Sequence, residues 1–236
     1  MIPLDRLKFE CEPFGVELDA LACERFDAYA RLLVEWNEKI NLTAITEPDL
    51  IVTRHFADSL SFFKAVNPQE NASLIDVGSG AGFPGMPIKI ARNDMNVTLL
   101  DSTNKRIAFL QEVAAQLGLE VNAVHFRAEE AAVKPELREQ FDFATARAVA
   151  QLKVLSEYCL GFVKVGGSFV AMKGKLTDEE LTEAKNAISV MGGKILNCTT
   201  LELSDSSERN LLTVKKASQT PTQYPRCSAK IAKKPL

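Results

Sequence analysis

Cysteine is sparse in this chain of 236 residues, and its five copies (Cys11, Cys23, Cys159, Cys198 and Cys227) are odd in number, scattered and free of any C-x-x-C pair. That distribution excludes a disulfide framework and a zinc site built on cysteine pairs, so reduced thiols and no metal are expected. Long apolar runs are missing as well: nothing approaches the roughly 18 consecutive apolar residues of a membrane span. The first residues include Asp5, Arg6, Lys8 and Glu10 and lack the apolar stretch of a signal peptide. The expectation is a cytoplasmic protein without a membrane partner. Internal repeats and low-complexity segments are absent too.

Acidic residues stop at Glu208. Residues 209–236 hold seven basic side chains (Arg209, Lys215, Lys216, Arg226, Lys230, Lys233, Lys234), while the first 208 residues hold 21 basic and 31 acidic ones, a balance of −10. A cationic end of this kind either neutralises phosphates, releasing counterions, or is a solvated terminus that aids solubility. Hydrophobic residues make up 46% of the chain, ample for one large domain or a domain with an extension.

Periodicity divides the chain. Leu18, Leu21, Leu33, Trp36 and Ile40, with Phe26, Tyr29 and Leu32 widening the stripe, predict an amphipathic helix over 17–40. A second helix is expected from Thr46, which with Asp49 resembles a capping box, to about Val66. At 100° per residue, Val52, Phe56, Leu60 and Phe63 form its apolar stripe, and Arg54, His55 and Asp58 fall opposite. Those three either reach a substrate or form a solvated face with an Arg54–Asp58 pair.

After Asn67-Pro68, short apolar runs alternate with helical patterns. Strands are expected at 73–77, 96–101, 121–126, 141–146, 168–172, 194–202 and 210–216. Between them, Ile107, Leu110, Val113, Ala114 and Leu117 mark one helix stopped by Gly118, and Leu152, Leu155, Cys159 and Val163 mark another ended by Gly166-Gly167. Thr177 and Glu180 form a capping box for a third, closed at Gly192-Gly193. Such alternation implies a doubly wound α/β sheet, seven-stranded and mostly parallel, with helices on both faces. The last two strands lack a helix between them and are expected to form an antiparallel hairpin at the edge. The expected organisation is an N-terminal helical extension (1–70) packed on the core, a main domain (71–217) and a basic tail (218–236) that is extended or loosely ordered around Pro221, Pro225 and Pro235.

The densest motif is DVGSGAGFPG at 76–85, which follows the first strand at the position where open α/β sheets bind ligands. Gly80, Gly82 and Gly85 satisfy a literal G-x-G-x-x-G, and Asp101 closes the next strand, where a carboxylate accepts ribose hydroxyls. NAD and S-adenosylmethionine both fit that pair of features. Asp76 favours the second, because it would repel a pyrophosphate but suits a sulfonium or ammonium. Pro84 and Pro87 also shorten the helix whose N-terminus would face a pyrophosphate.

Longer stretches carry a resemblance: NLTAIT at 41–46, RHFADSL at 54–60, LIDVGSGAGFPGMPIKI at 74–90, LLDSTNKRIAFL at 99–110, RAEE at 127–130, ARAVA at 146–150, AMKG at 171–174 and YPR at 224–226. With these the chain resembles the RsmG (GidB) family of bacterial small-subunit ribosomal RNA methyltransferases. The resemblance implies a class I S-adenosylmethionine-dependent methyltransferase of Rossmann-like fold, acting on nitrogen-7 of a guanosine in 16S ribosomal RNA. It also implies cofactor contacts at Gly78, Phe83, Ala128, Glu129 and Arg147. Asp101 and Gly80 join them from strand and loop position. Arg147 could pair with the methionyl carboxylate, with RNA, or structurally with Asp142 or Glu157.

Guanine nitrogen-7 carries a free lone pair and no proton, so alignment rather than a general base is required. No catalytic base is therefore named; Arg54, His55, Asp58 and Lys173 are candidates for positions near the substrate, and His125 is read as structural. The expected partner is 16S ribosomal RNA or the small subunit, bound by a monomer through Lys105, Arg106, Arg226, Lys230, Lys233 and Lys234. Lys105 and Arg106 oppose the dipole of the helix that they open, a conflict that an anion such as phosphate, or water, would relieve. In the tail, the stretch CSAKIA replaces the Gly-Thr-Pro-like turn that relatives carry between YPR and KKP. The competing functions are a nicotinamide-dependent oxidoreductase and a non-catalytic, cofactor-sensing RNA-binding protein.

Overall fold

The computed structural model describes residues 1–147 and 150–236; Ala148 and Val149 of the ARAVA stretch lie outside the described residues. Seven strands form one sheet: β1 (Ser73–Val77), β2 (Asn96–Asp101), β3 (Asn122–His125), β4 (Phe141–Arg147), β5 (Val163–Lys173), β6 (Gly193–Glu202) and β7 (Glu208–Lys216). Their order is β3-β2-β1-β4-β5-β7-β6. β1 to β5 pair in parallel, and β7 runs antiparallel to both of its neighbours. The expected hairpin forms, with its second strand inserted between β5 and β6. Strand order reverses between β1 and β4, which fixes the ligand crevice at their carboxyl ends.

Alternation along β1 sorts side chains between two cores. Leu74 joins a cluster with Phe26, Tyr29 and Leu33, whereas Ile75 and Val77 join the opposite one with Leu152, Leu155 and Ile188. The first core is covered by α1 (Leu4–Cys11), α2 (Ala20–Ile40) and a segmented helix. α6 (Gly85–Ala91) and α7 (Asn104–Leu117) complete that layer; α8 (Ala128–Ala131), α9 (Leu152–Cys159) and α10 (Asp178–Val190) cover the other face. Asp19 caps α2 by accepting from Ala22 N at 2.7 Å, and Gly118, at φ 59°, ends α7 as expected. Leu21, assigned to the buried stripe of α2, is instead 52% exposed; Phe26, Tyr29 and Leu33 carry the packing.

The segmented helix departs from a continuous second helix. It comprises α3 (Pro48–Leu50), a π-helical stretch (Ile51–Ala57), α4 (Asp58–Leu60) and α5 (Phe62–Ala65). No Thr46 capping box forms: Glu47 is the N-cap, and Asp49 pairs with Arg6 at 2.7 Å. The i→i+5 ladder of the π-stretch rotates side chains less per residue than an α-helix, so the 100° projection fails. His55 and Asp58 are consequently buried while Arg54 stays exposed. The Arg54–Asp58 pair does not form either; Arg54 pairs with Asp205 at 2.6 Å.

Two other elements differ. α9 ends at Cys159, and Val163 begins β5, with Gly166-Gly167 inside the strand where its register with β4 shifts. The tail is docked rather than loose, with α11 (Ser228–Lys233) burying Ile231; Lys216, one of the seven cations of 209–236, is buried at the end of β7 beside Glu139 at 3.0 Å.

Candidate active site

The glycine loop leaves β1 by tying itself to β2. Gly78 N and Ser79 N donate to Leu100 O at 2.8 and 3.0 Å, and Gly80 N donates to Asp101 Oδ2 at 2.9 Å. Two glycines are sterically compulsory. At Gly82 (φ 97°) an added Cβ would lie 2.6 Å from Tyr29 Oη and 2.9 Å from Leu110 Cδ2. At Gly85 it would collide with Leu99 Cδ2 and lie 2.9 Å from Asp76 Cβ.

That crowding encloses Asp76 completely. Its Oδ2 accepts from Gly85 N at 2.9 Å, but its buried Oδ1 has no hydrogen-bond partner among the described residues. Burial, only partly offset by the Gly85 hydrogen bond, raises its pKa from 3.8 to about 7. An orphaned carboxylate oxygen behind a ligand loop calls for a donor or cation.

Two cavities open on either side of β1. One, of about 170 Å³, is lined by Gly78, Asp101, Phe126, Ala128, Glu129 and Tyr158 among others. It gathers four of the expected cofactor residues at the ends of β1, β2 and β3. Gly80 and Phe83 are not among its lining residues. Asp101 is buried, with Oδ1 accepting from Thr103 N at 2.8 Å and Arg106 Nη1 lying 3.5 Å from Oδ2. Asp101 is thus an anion beside the α7 start, where Lys105 remains exposed.

The other cavity, of about 380 Å³, is lined by Arg54, His55, Asp58, Arg147, Met172, Lys173 and Arg209 among others. All four residues expected near the substrate therefore converge on it. Arg147 is only 13% exposed, and its partner is neither Asp142 nor Glu157: Nη1 meets Asp58 Oδ2 at 2.8 Å and donates to Arg54 O at 3.1 Å. Asp58 Oδ1 accepts from Arg209 Nε at 2.8 Å, so one carboxylate holds two arginines. Lys173 is paired with Glu180.

Phe83 forms the floor beneath Arg147, whose guanidinium carbon lies 5.0 Å from the ring centroid. His55 stacks on the same ring at 4.3 Å and 14°. Burial, reinforced by Arg147, lowers the His55 pKa to about 3, so the imidazole is neutral. Its Nδ1, 3.4 Å from Arg147 Nη2, is an acceptor, which makes Nε2 the donor to Thr43 Oγ1 at 2.9 Å. The NLTAIT stretch is fixed in turn by Asn37, whose Oδ1 accepts from Leu42 N and Thr43 N at 2.7 and 2.8 Å. Tyr29 supports the glycine loop by donating to Ala81 O.

Several of these residues carry no site signal in the sequence. Tyr158 and Arg209 stand in no motif, and Thr43 stands in NLTAIT without being marked as a site residue, because their roles depend on elements that meet only in the fold. The reverse holds for Arg226, expected to contact RNA: it pairs with buried Glu157 at 2.6 Å. His125 bonds the Ser102 carbonyl at 3.0 Å, in keeping with a structural role. Among the described residues no group of His, Cys, Asp and Glu could hold a metal, and no helix is long and apolar enough to cross a membrane.

Comparison with known proteins gives this geometry a family. A solved structure of precorrin-6y C5,15-methyltransferase from Geobacter metallireducens superposes with a TM-score of 0.52 over 67% of this chain and 86% of that one, at 14% identity, a likeness of fold. Ribosomal RNA small subunit methyltransferase G of Clostridium perfringens (strain 13 / Type A) is 50% identical over 234 residues, 98% of each chain. The protein of that name from Desulforamulus reducens is 51% identical over 213 residues, 89% of each chain. The family model described as rRNA small subunit methyltransferase G matches residues 22–212, and the chain belongs to this GidB family.

Proposed function

We propose that this protein transfers a methyl group from S-adenosylmethionine to nitrogen-7 of a guanosine in 16S ribosomal RNA. The observation that carries the cofactor assignment is Asp76: a buried carboxylate with one orphaned oxygen, behind a glycine loop, fits a cationic ligand and repels a pyrophosphate. That observation disfavours a nicotinamide cofactor. S-adenosylmethionine, when bound, supplies an electrophilic methyl on a sulfonium. The residues that would hold it are Gly78, Asp101, Ala128 and Glu129, with Tyr158 walling the same cavity and Asp76 buried behind the loop.

The second cavity then takes the guanine. Its lining residues position and shield rather than remove a proton, since nitrogen-7 has none to lose. A neutral His55 is compatible with that role, as is an Arg147 held against Asp58 and Phe83 rather than projecting into the cavity as a free fork. A fork donating to nitrogen-7 would occupy the attacking lone pair. The test is transfer of labelled methyl to small subunits lacking the modification. Subunits reconstituted with 7-deazaguanosine RNA should accept none; acceptance would show that another atom is methylated.

RNA phosphates are expected on the exposed lysines of the docked tail, Lys230, Lys233 and Lys234, with Lys105. Their simultaneous replacement by glutamine should weaken RNA binding and reduce the salt slope by about 0.9 for each phosphate no longer neutralised. This substitution is the better test than truncation, because truncation would also strip buried Glu157 of its partner Arg226. An unchanged slope in a filter-binding series would remove the tail from the RNA surface. The simplest assembly for this activity is a monomer in the cytoplasm.

A further inference from the structure

The C-terminal segment is joined to the walls of the first cavity by a chain of partly buried polar contacts. Glu157, on α9, is fully buried and receives three donors from one residue: Arg226 N and Nε at 2.9 Å each to Oε1, and Nη2 at 2.6 Å to Oε2. A buried carboxylate is tolerated only with such pairing. The next residue on α9, Tyr158, is part of the cavity wall.

The opposite wall has its own anchor. Arg138 donates to Ala132 O at 3.2 Å, just after α8, and to Thr220 O and Tyr224 O in the C-terminal segment, both at 2.8 Å. α8 supplies Ala128 and Glu129 to the cavity. The segment thus grips both helices whose residues enclose the ligand, although none of its own residues lines the cavity.

We propose that Arg226, acting through Glu157, is a positioning residue for the cofactor cavity, so that docking of the C-terminal segment holds Tyr158 in its binding geometry. This inference rests on the assignment of that cavity to S-adenosylmethionine. Loss of the Arg226 fork frees α9 to rotate or withdraw, which enlarges the cavity and weakens its grip on the ligand. The chemistry, performed in the second cavity, is left intact once the ligand is bound. The effect is therefore confined to cofactor affinity.

The test uses the full-length protein, with S-adenosylmethionine dissociation constants from calorimetry and methyl transfer to unmodified small subunits. Arg226→Gln should raise the cofactor dissociation constant and KM about tenfold while kcat at saturating cofactor stays within about twofold. Arg226→Lys, which keeps the charge but loses the fork, should hold the rise to about threefold. Exchanging Lys230, Lys233 and Lys234 for glutamine should leave the cofactor constant unchanged. If Arg226→Gln does not fold, Arg226→Lys decides: a weakened cofactor constant supports the proposal, and a wild-type constant overturns it. A folded Arg226→Gln protein with wild-type cofactor affinity overturns it as well. Failure of the wild-type protein to bind S-adenosylmethionine would instead overturn the cofactor assignment, and the inference with it.

Discussion

Replacing Asp76 with asparagine is expected to stabilise the fold above neutral pH and to weaken S-adenosylmethionine binding about 100-fold. Asp76 ionises near 7 in the fold and near 3.8 unfolded, so between those values the native state binds the extra proton. Its contribution to stability is full below about 3.8 and is lost as pH rises through about 7. Above that pH the buried charge costs several kcal/mol, on the order of 1.4 kcal/mol for each pH unit between the two values. Asparagine keeps an acceptor for Gly85 N and removes the charge. A recovered 2 kcal/mol or so would raise the melting midpoint by roughly 4–8 °C at pH 8, with no gain at pH 4. The same exchange puts an amide donor where a cationic ligand needs an anion. Melting curves at the two pH values and a calorimetric titration read both effects, and cofactor affinity equal to wild type would remove Asp76 from the site. The wild-type protein should also bind S-adenosylmethionine less tightly as pH falls below about 7, because a proton competes for the carboxylate.

The second large effect is expected at Asp58, where alanine should lower the melting midpoint by about 10 °C and reduce kcat/KM for methyl transfer by at least about 100-fold. Its carboxylate is 5% exposed and lies 2.8 Å from both Arg147 and Arg209. Removing it leaves two guanidinium groups facing each other in a confined space, a loss on the order of 3–5 kcal/mol for a broken buried pair. Arg147 would also leave its place over Phe83, and the second cavity would lose the shape that Arg147 and Asp58 give its wall. Arg54, four residues away, is the internal control. Its pair with Asp205 is exposed on the arginine side, so Arg54→Ala should cost no more than about 1 kcal/mol. Equal losses for the two variants would mean that Asp58 acts only as a surface charge.

That contrast marks the limit of sequence reasoning here. The sheet was legible because apolar runs, capping residues and glycines act locally: β1 and β2 have the bounds expected of them, and the glycine loop lies at the crevice. Asp76 was legible for the same reason, since its charge stands beside the loop it serves. The π-stretch was not, because its partners lie far away in sequence: it packs against α1, and Thr53 and Arg54 meet Ser204 and Asp205 of the β6–β7 turn. Charge counts failed in the last 28 residues for a related reason. Lys216 and Arg226 look like solvated cations until Glu139 and Glu157, 77 and 69 residues upstream, meet them in the interior.

Between Arg6 and Arg209, the π-stretch is held on both sides. Glu10 Oε1 accepts from Arg6 Nε at 2.7 Å, from Thr53 Oγ1 at 2.8 Å and from Ser204 Oγ at 2.7 Å, while Asp58 waits for Arg209. In order of synthesis, therefore, the first helix and the cavity-lining helix segment remain without their final partners until the β6–β7 turn has left the ribosome exit tunnel. A nascent chain stalled before residue 204 carries the glycine loop and the first cavity's strands but no closed second cavity. The second cavity closes only once Arg209 has emerged to meet Asp58.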